Sequence, residues 1–276
     1  MDLSALPPLR DAIAEHGLAA RKGLGQHFLL DLNLTRKIVR AADVSAADAV
    51  LEIGPGPGGL TRALVETGAC VVAVERDARC LPALQDLTDL AGARLRVVND
   101  DAVAVDEAAL AKVAGLTTPL KIVANLPYNV GTELLIKWLI AGPTLWSRMA
   151  LMFQKEVADR IVAAPGTKAY GRLSVLAASA SRPRKAFDLP ARAFTPPPKV
   201  DSAVVVFDAI APDVDFLALE RATRAGFGAR RKMLRASLKP LFGAETEWRL
   251  EALGLSPTAR AEELSPADWR RVAAVL

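Results

Sequence analysis

The chain has 276 residues, of which 51% are apolar and 24% charged, a composition ordinary for a soluble globular protein of one large domain or one medium and one small domain. No apolar run approaches the ~20 residues of a membrane-spanning helix, and the N-terminus lacks a basic segment followed by an apolar one, so neither a membrane span nor a secretory signal is expected. Cys70 and Cys80 sit in no CxxC or Cys/His cluster, which argues against a metal site and for two reduced thiols in a cytoplasmic protein.

The first 45 residues read as helices around the loop Arg21–Leu29. A β/α alternation follows. Ala49–Ile53 is a buried strand ended by glycines, and Leu60–Glu66 is helical. Cys70–Val74 is the next strand, Ala78–Leu87 a helix, and Leu95–Val98 a third strand. Leu120–Ala124 is a strand ending at Asn125, and Gly131–Ile140 carries apolar residues at helical spacing. Met149–Phe153 is a strand leading into a helix over Lys155–Val162. This order predicts a parallel, doubly wound sheet. Lys185–Leu189 and Ala203–Asp208 read as strands around Phe194-Thr195-Pro196-Pro197-Pro198-Lys199, a stiff extended loop. Beyond Pro212 only helices are expected, over Phe216–Ala225, Arg230–Leu238, Trp248–Leu253 and Pro266–Ala274. The boundary falls near residue 210: an α/β domain over 1–210 and a small all-helical domain over 211–276.

The net charge of +4 is too mild to name a partner, but its distribution is informative. Between Arg221 and Lys239 lie seven cations (Arg221, Arg224, Arg230, Arg231, Lys232, Arg235 and Lys239) and no acid. A merely solvated helix face mixes both signs; this block is the footprint of a polyanion site.

Gly54, Gly56 and Gly59 fit GxGxxG directly after the first strand, and Glu75 ends the second. Glycines let a ligand approach the backbone, and the carboxylate can accept from ribose hydroxyls. A dinucleotide or S-adenosylmethionine would satisfy this pattern equally. Asp101, just past the third strand, can accept from an adenine amino group or simply cap a turn. Asn125-Leu126-Pro127-Tyr128 follows the fourth strand and shares the carboxyl-end rim with the glycine loop. The tetrapeptide suits an exocyclic amine such as adenine N6, whose lone pair is delocalised into the ring. The Asn125 side-chain oxygen and the Leu126 carbonyl can take its two hydrogens, Pro127 stiffens the turn, and Tyr128 offers a stacking face. The competing reading is an ordinary Asn/Pro turn.

With these motifs in order the chain resembles the ribosomal RNA adenine dimethyltransferases, closest to their bacterial small-subunit branch. The resemblance spans nearly the whole chain. It rests on Lys22–Leu29, Glu52–Gly59, Val74–Asp77, Asn125–Asn129, Tyr170–Val175, Phe194–Ser202 and Arg230-Arg231-Lys232. It implies a Rossmann-like, S-adenosylmethionine-dependent methyltransferase domain with a small helical C-terminal domain. His27, Leu29, Gly54, Gly56, Glu75, Arg76, Asp101 and Asn125 would then meet the cofactor. Asn125, Leu126, Tyr128 and Phe194 would serve the target base, with Phe194 covering it opposite Tyr128. Arg230, Arg231, Lys232 and Arg235 would grip RNA. The implied substrate is two adjacent adenosines in the 3′-terminal hairpin loop of 16S rRNA, met as naked RNA or in an immature small ribosomal subunit, and the chain is expected to act as a monomer. Two departures stand out: His27 replaces the family's usual asparagine, and Gly131 a small hydroxyl residue. Three other readings fit less of the chain: a resistance-type methyltransferase of 23S rRNA, an assembly factor acting mainly by binding, and a nucleotide-dependent dehydrogenase, which leaves Asn125–Tyr128 and the basic block unexplained.

Overall fold

The computed structural model describes residues 3, 5–21, 23, 25–211, 213–229 and 231–276. In chain order come α1 (Leu9–Glu15), β1 (Phe28–Leu29), α2 (Leu32–Ala41), β2 (Ala49–Ile53), α3 (Gly59–Glu66), β3 (Cys70–Glu75), α4 (Leu81–Ala91), β4 (Leu95–Asn99) and α5 (Glu107–Val113). There follow β5 (Leu120–Asn125), α6 (Gly131–Ala141), β6 (Trp146–Gln154), α7 (Lys155–Ile161), α8 (Arg172–Ala180), β7 (Ser181–Leu189), β8 (Phe194–Thr195) and β9 (Ser202–Ala209). The remaining helices are α9 (Phe216–Gly228), α10 (Leu234–Ser237), α11 (Lys239–Phe242), α12 (Thr246–Ala252) and α13 (Pro266–Ala273).

Seven strands form one sheet in the order β4-β3-β2-β5-β6-β9-β7, and β1 pairs with β8 in a separate two-stranded ribbon. The central strands β2, β3 and β5 are almost wholly buried. A strand covered on both faces reads as a continuous apolar run, which is why Val71-Val72-Ala73-Val74 and Ile122-Val123-Ala124 do not alternate. From β4 to β6 every pairing is parallel, so the carboxyl ends of β2, β3 and β5 share one rim.

The all-parallel expectation fails at one edge, where β9 runs antiparallel to β6 from Gln154↔Ser202 to Arg148↔Asp208. A parallel neighbour is fed by a crossover helix; β9 is fed by the extended proline run instead. The ribbon β1–β8 was not expected either. The helix read over 78–87 opens as a 3₁₀ turn at Ala78–Cys80. Over 230–238 only Leu234–Ser237 is α-helical, and Arg230 lies outside the described residues.

The chain divides into two units, one of Met1–Ala158 with Lys185–Asp208 and the other of Asp159–Arg184 with Ala209–Leu276. The second crossing falls beside the boundary read near 210, whereas Asp159–Arg184, read as part of the α/β domain, joins the C-terminal helices. In the first unit, buried tryptophans satisfy their N–H groups: Trp138 Nε1 donates to Glu107 (2.7 Å) and Trp146 Nε1 to the Trp138 carbonyl (2.6 Å). In the second unit, α8, α9 and α13 pack together around Trp269, which is fully buried, with the Phe227 ring 5.3 Å away between centroids. The Tyr170 hydroxyl donates to the Leu264 carbonyl at 2.8 Å.

Gly226 makes the packing on Trp269 possible, because a Cβ there would lie 2.1 Å from the indole Cη2. Alanine improves helix propensity by about 1 kcal/mol, but overpacking a fixed ring costs roughly 1–3 kcal/mol or more. Gly226→Ala is therefore expected to lower the urea midpoint of unfolding; an unchanged midpoint would show that the indole steps aside freely.

Candidate active site

The rim of the sheet in the first unit opens into a cleft of about 1170 Å³, open mouth included. Its walls come from the early loop (Gln26–Leu29), the glycine loop (Gly54–Leu60), the end of β3 (Val74–Arg76), the start of the turn after β4 (Asp100, Ala102) and the turn Asn125–Val130.

The glycine loop leaves β2 with the Gly54 N–H donating to the Val74 carbonyl at 2.9 Å. Gly56 has φ +55°, and a Cβ there would stand 3.3 Å from the Phe28 ring. A Cβ on Gly59 would lie 2.5 Å from the Leu29 carbonyl oxygen. Only glycine leaves room for β1 to lie across the loop. The β1–β8 pairing, Phe28↔Thr195 and Leu29↔Phe194, holds it there.

Glu75, at the end of β3, is 5% exposed. Its Oε2 accepts the Gly56 N–H at 2.9 Å and its Oε1 the Asp77 N–H at 2.7 Å. Each oxygen keeps lone-pair capacity for a hydroxyl donor. Burial pushes this carboxyl above its ordinary value, and the two backbone donors oppose the shift. Arg76 is largely exposed and sits 3.2 Å from Asp101, whose other oxygen accepts the Val103 N–H at 3.1 Å. Asp100 and Ala102 line the cleft and Asp101 does not. Its carboxylate stands beside the cleft, engaged by Arg76.

Asn125 closes β5. Its Nδ2–H donates to the His27 carbonyl at 3.0 Å, and its Oδ1 accepts no hydrogen bond among the described residues. The turn after it is closed by the Val130 and Gly131 N–H groups, both donating to the Pro127 carbonyl (3.2 and 3.0 Å). Leu126 is buried and Tyr128 half-buried. The Tyr128 hydroxyl and Ser202 Oγ are 2.6 Å apart, and the His27 ring stacks on Tyr128 with centroids 5.6 Å apart. Burial raises the Tyr128 phenol above its usual value, opposed by Ser202. His27 Nδ1 lies 2.8 Å from the Pro196 carbonyl, which only accepts, so Nδ1 carries the proton.

Phe194 departs from expectation. It is 3% exposed, belongs to the apolar core with Leu29, Val123, Met152 and Val204, and does not line the cleft. Pairing β8 with β1 turns its ring inward, so it does not cover a base opposite Tyr128 in this conformation. Sequence reading also missed Ser202, Pro196 and Gln26. The Gln26 amide donates to Asp77 at 2.9 Å and, with Arg79 as the larger influence, helps hold that carboxylate down at about 2. Only the runs Phe194–Ser202 and Lys22–Leu29, read as wholes, hinted at them.

In the second unit Arg231, Lys232 and Arg235 are exposed, Arg235 lying 3.5 Å from Glu247. Lys232 shares an open groove with Arg221 and Arg224, floored by Ala225, Ala229 and Ala236. Arg224 is paired with Glu220 at 2.6 Å.

Comparison with known proteins points the same way. Residues 17–276 match the family model described as ribosomal RNA adenine dimethylase. A ribosomal RNA small subunit methyltransferase A of Phenylobacterium zucineum is 56% identical over 99% of this chain and 94% of its own. Among solved structures, a dimethyladenosine transferase from Plasmodium falciparum has TM-score 0.75 and 26% identity, over 89% of this chain and 96% of its own. The 23S rRNA methyltransferase ErmE has TM-score 0.65 and 25% identity, over 89% and 98%.

Beneath the glycine loop lies Glu52, fully buried, its two oxygens and the Thr61 hydroxyl without hydrogen-bond partners among the described residues. Burial pushes its carboxyl up to about 8; the Thr61 hydroxyl opposes this without hydrogen-bond geometry, and the Glu75 charge adds to it. The unfolded chain releases this proton near 4.5, the folded chain near 8, so this group's contribution to stability falls as pH rises between those values. Glu52→Gln is expected to flatten that slope and to melt higher than wild type at pH 8. Parallel melting curves for the two proteins from pH 5 to 8 would contradict a neutral Glu52.

Proposed function

This chain belongs to the ribosomal RNA adenine dimethylase family, and we infer that it transfers methyl groups from S-adenosylmethionine to N6 of adenosine in small-subunit ribosomal RNA. The substrate is the pair of adjacent adenosines in the 3′-terminal hairpin loop of 16S rRNA, converted to N6,N6-dimethyladenosine while the subunit is still immature, in the cytoplasm. The observation that carries this reading is Asn125: its amide nitrogen is taken by the His27 carbonyl, which leaves Oδ1 as the acceptor at the cleft.

The residues present fit the donor. Glu75 offers two partly used carboxylate oxygens to a ribose diol. Gly54 and Gly56 leave backbone bare for its amino-acid end, and His27, Leu29 and Arg76 complete the wall. Asp101, beside the cleft and paired with Arg76, keeps lone-pair capacity for an adenine amino group, and Asp100 and Ala102 line the wall next to it. When bound, the donor supplies an electrophilic methyl carbon on a sulfonium.

On the base side, Asn125 Oδ1 and the Leu126 carbonyl accept the two N6 hydrogens and aim the lone pair. Tyr128 stacks the ring, worth on the order of 1–3 kcal/mol. No strong base is needed, since alkylation makes N6 acidic enough to lose its proton. Alignment of the reactants is the largest contribution, on the order of 7–11 kcal/mol at best. Bases of an RNA loop splay out at low cost, which suits a cleft that must isolate one adenine. Arg231, Lys232 and Arg235, with Arg230, hold the RNA backbone by charge.

Small subunits from cells lacking the modification, incubated with labelled donor, should gain N6,N6-dimethyladenosine at two adjacent loop positions, mapped by nuclease digestion and mass spectrometry. Label on large-subunit RNA alone would refute the assignment. Asn125→Ala should lose roughly 10²–10³-fold in transfer, as for removal of one preorganised polar group, and, because it also frees the His27 carbonyl, weaken donor binding by a smaller factor. Replacing Arg231, Lys232 and Arg235 with alanine should weaken RNA binding and reduce the slope of log K against log salt by about 3 at most. An unchanged slope would make the block an ordinary surface.

A further inference from the structure

The run Phe194–Ser202 marks the family by sequence, yet the chemistry above gives it no part. In the fold it converges on one side chain, Tyr128. At the ring's tip, the phenol oxygen and Ser202 Oγ share a hydrogen bond at 2.6 Å. On one ring face the His27 imidazole stacks at 5.6 Å and 30°, and that imidazole is held by the Pro196 carbonyl at 2.8 Å. Pro196 is itself anchored, because the two residues before it pair with Leu29 and Phe28. Ser202 is fully buried and sits in the ladder opposite Gln154, so its hydroxyl is not free to turn to water.

We propose that Ser202 is a positioning residue for methyl transfer: by holding the Tyr128 phenol, with His27 backing one ring face, it sets the plane on which the target base stacks. The proposal rests on the base-stacking role given to Tyr128 above. A half-buried tyrosine free at its tip would swing about its side-chain bonds. The base would then have to order the platform as it arrives. A clamp at tip and face makes that ordering part of folding instead. Misplacement of the acceptor amine by about 1 Å is enough to cost up to 10²-fold in rate. Ser202 touches neither base nor donor in this scheme and acts only through Tyr128.

The test is a double-mutant cycle on Ser202→Ala and Tyr128→Phe, with rates measured on methyl-deficient small subunits and donor affinity measured separately. Each single change should lower kcat roughly tenfold, the scale of one lost hydrogen bond, with donor affinity within about twofold of wild type. The double variant should be no slower than either single, since both remove one interaction. Ser202→Thr, which keeps the hydroxyl, should recover most of the rate. With only two tyrosines in the chain, ring-labelled protein should show the Tyr128 resonance shifting or broadening in Ser202→Ala while that of Tyr170 stays put. Multiplying losses in the double variant, or wild-type kcat with an unmoved Tyr128 signal in Ser202→Ala, would overturn the clamp while Tyr128→Ala stays inactive. Full activity in Tyr128→Ala would instead remove the stacking role itself, and the clamp with it.

Discussion

One hydrogen bond, from the Asn125 amide to the His27 carbonyl, joins residues 98 apart in sequence and organises the cleft around it. It ties the end of β5 to the early loop and, by holding the amide nitrogen, orients Oδ1, the side chain's acceptor. For the bond to form, the early loop must lie across the glycine loop. That requires the bare backbone of Gly56 and Gly59 beneath Phe28 and Leu29, and the ribbon with β8 to hold it there. Because the acceptor at residue 27 is main chain, the bond does not depend on which side chain stands there. The histidine adds its own contact to Pro196 rather than replacing one an asparagine would have made with Asn125.

The same rim concentrates electrostatic cost. Glu75 is buried with two backbone donors on its oxygens, and Glu52 is buried with none among the described residues. Two ionised carboxylates so placed would repel one another without water to screen them. Burial pushes Glu52 up toward its neutral form, while the two backbone donors on Glu75 leave its oxygens able to accept from a ligand. On the other side of Glu75, Asp77 is held down at about 2 by Arg79 and Gln26 and stays ionised. Three acids within 26 residues of one another thus have different protonation tendencies, set by burial and by what donates to each.

Much of the architecture was legible because it is written locally. Apolar runs bounded by glycine or asparagine placed β2, β3 and β5 to within a residue, and parallel strands put their motif-bearing ends on one rim. The glycine loop, Glu75 and Asn125–Tyr128 could be assigned to one cleft on that ground alone. Helix ends were less legible. The helix read over Arg230–Leu238 narrows to Leu234–Ser237, and a separate short helix opens at Lys239–Phe242, where Pro240 lacks the N–H a continuous helix would use.

The sequence by itself determined the fold class and put the glycine loop, Glu75 and Asn125–Tyr128 on one rim, because periodicity, glycine placement and turn chemistry depend on neighbours a few positions away, while the family followed from the resemblance of its ordered motifs. Tertiary structure alone decided what each of those residues does to the others. It turned Phe194 into the core, engaged Asp101 with Arg76, set β9 antiparallel to β6, and placed Ser202 at the tip of a tyrosine 74 residues earlier. Contacts of that range are set by how the sheet and the β1–β8 ribbon close in space, and no local pattern of residues records that closure.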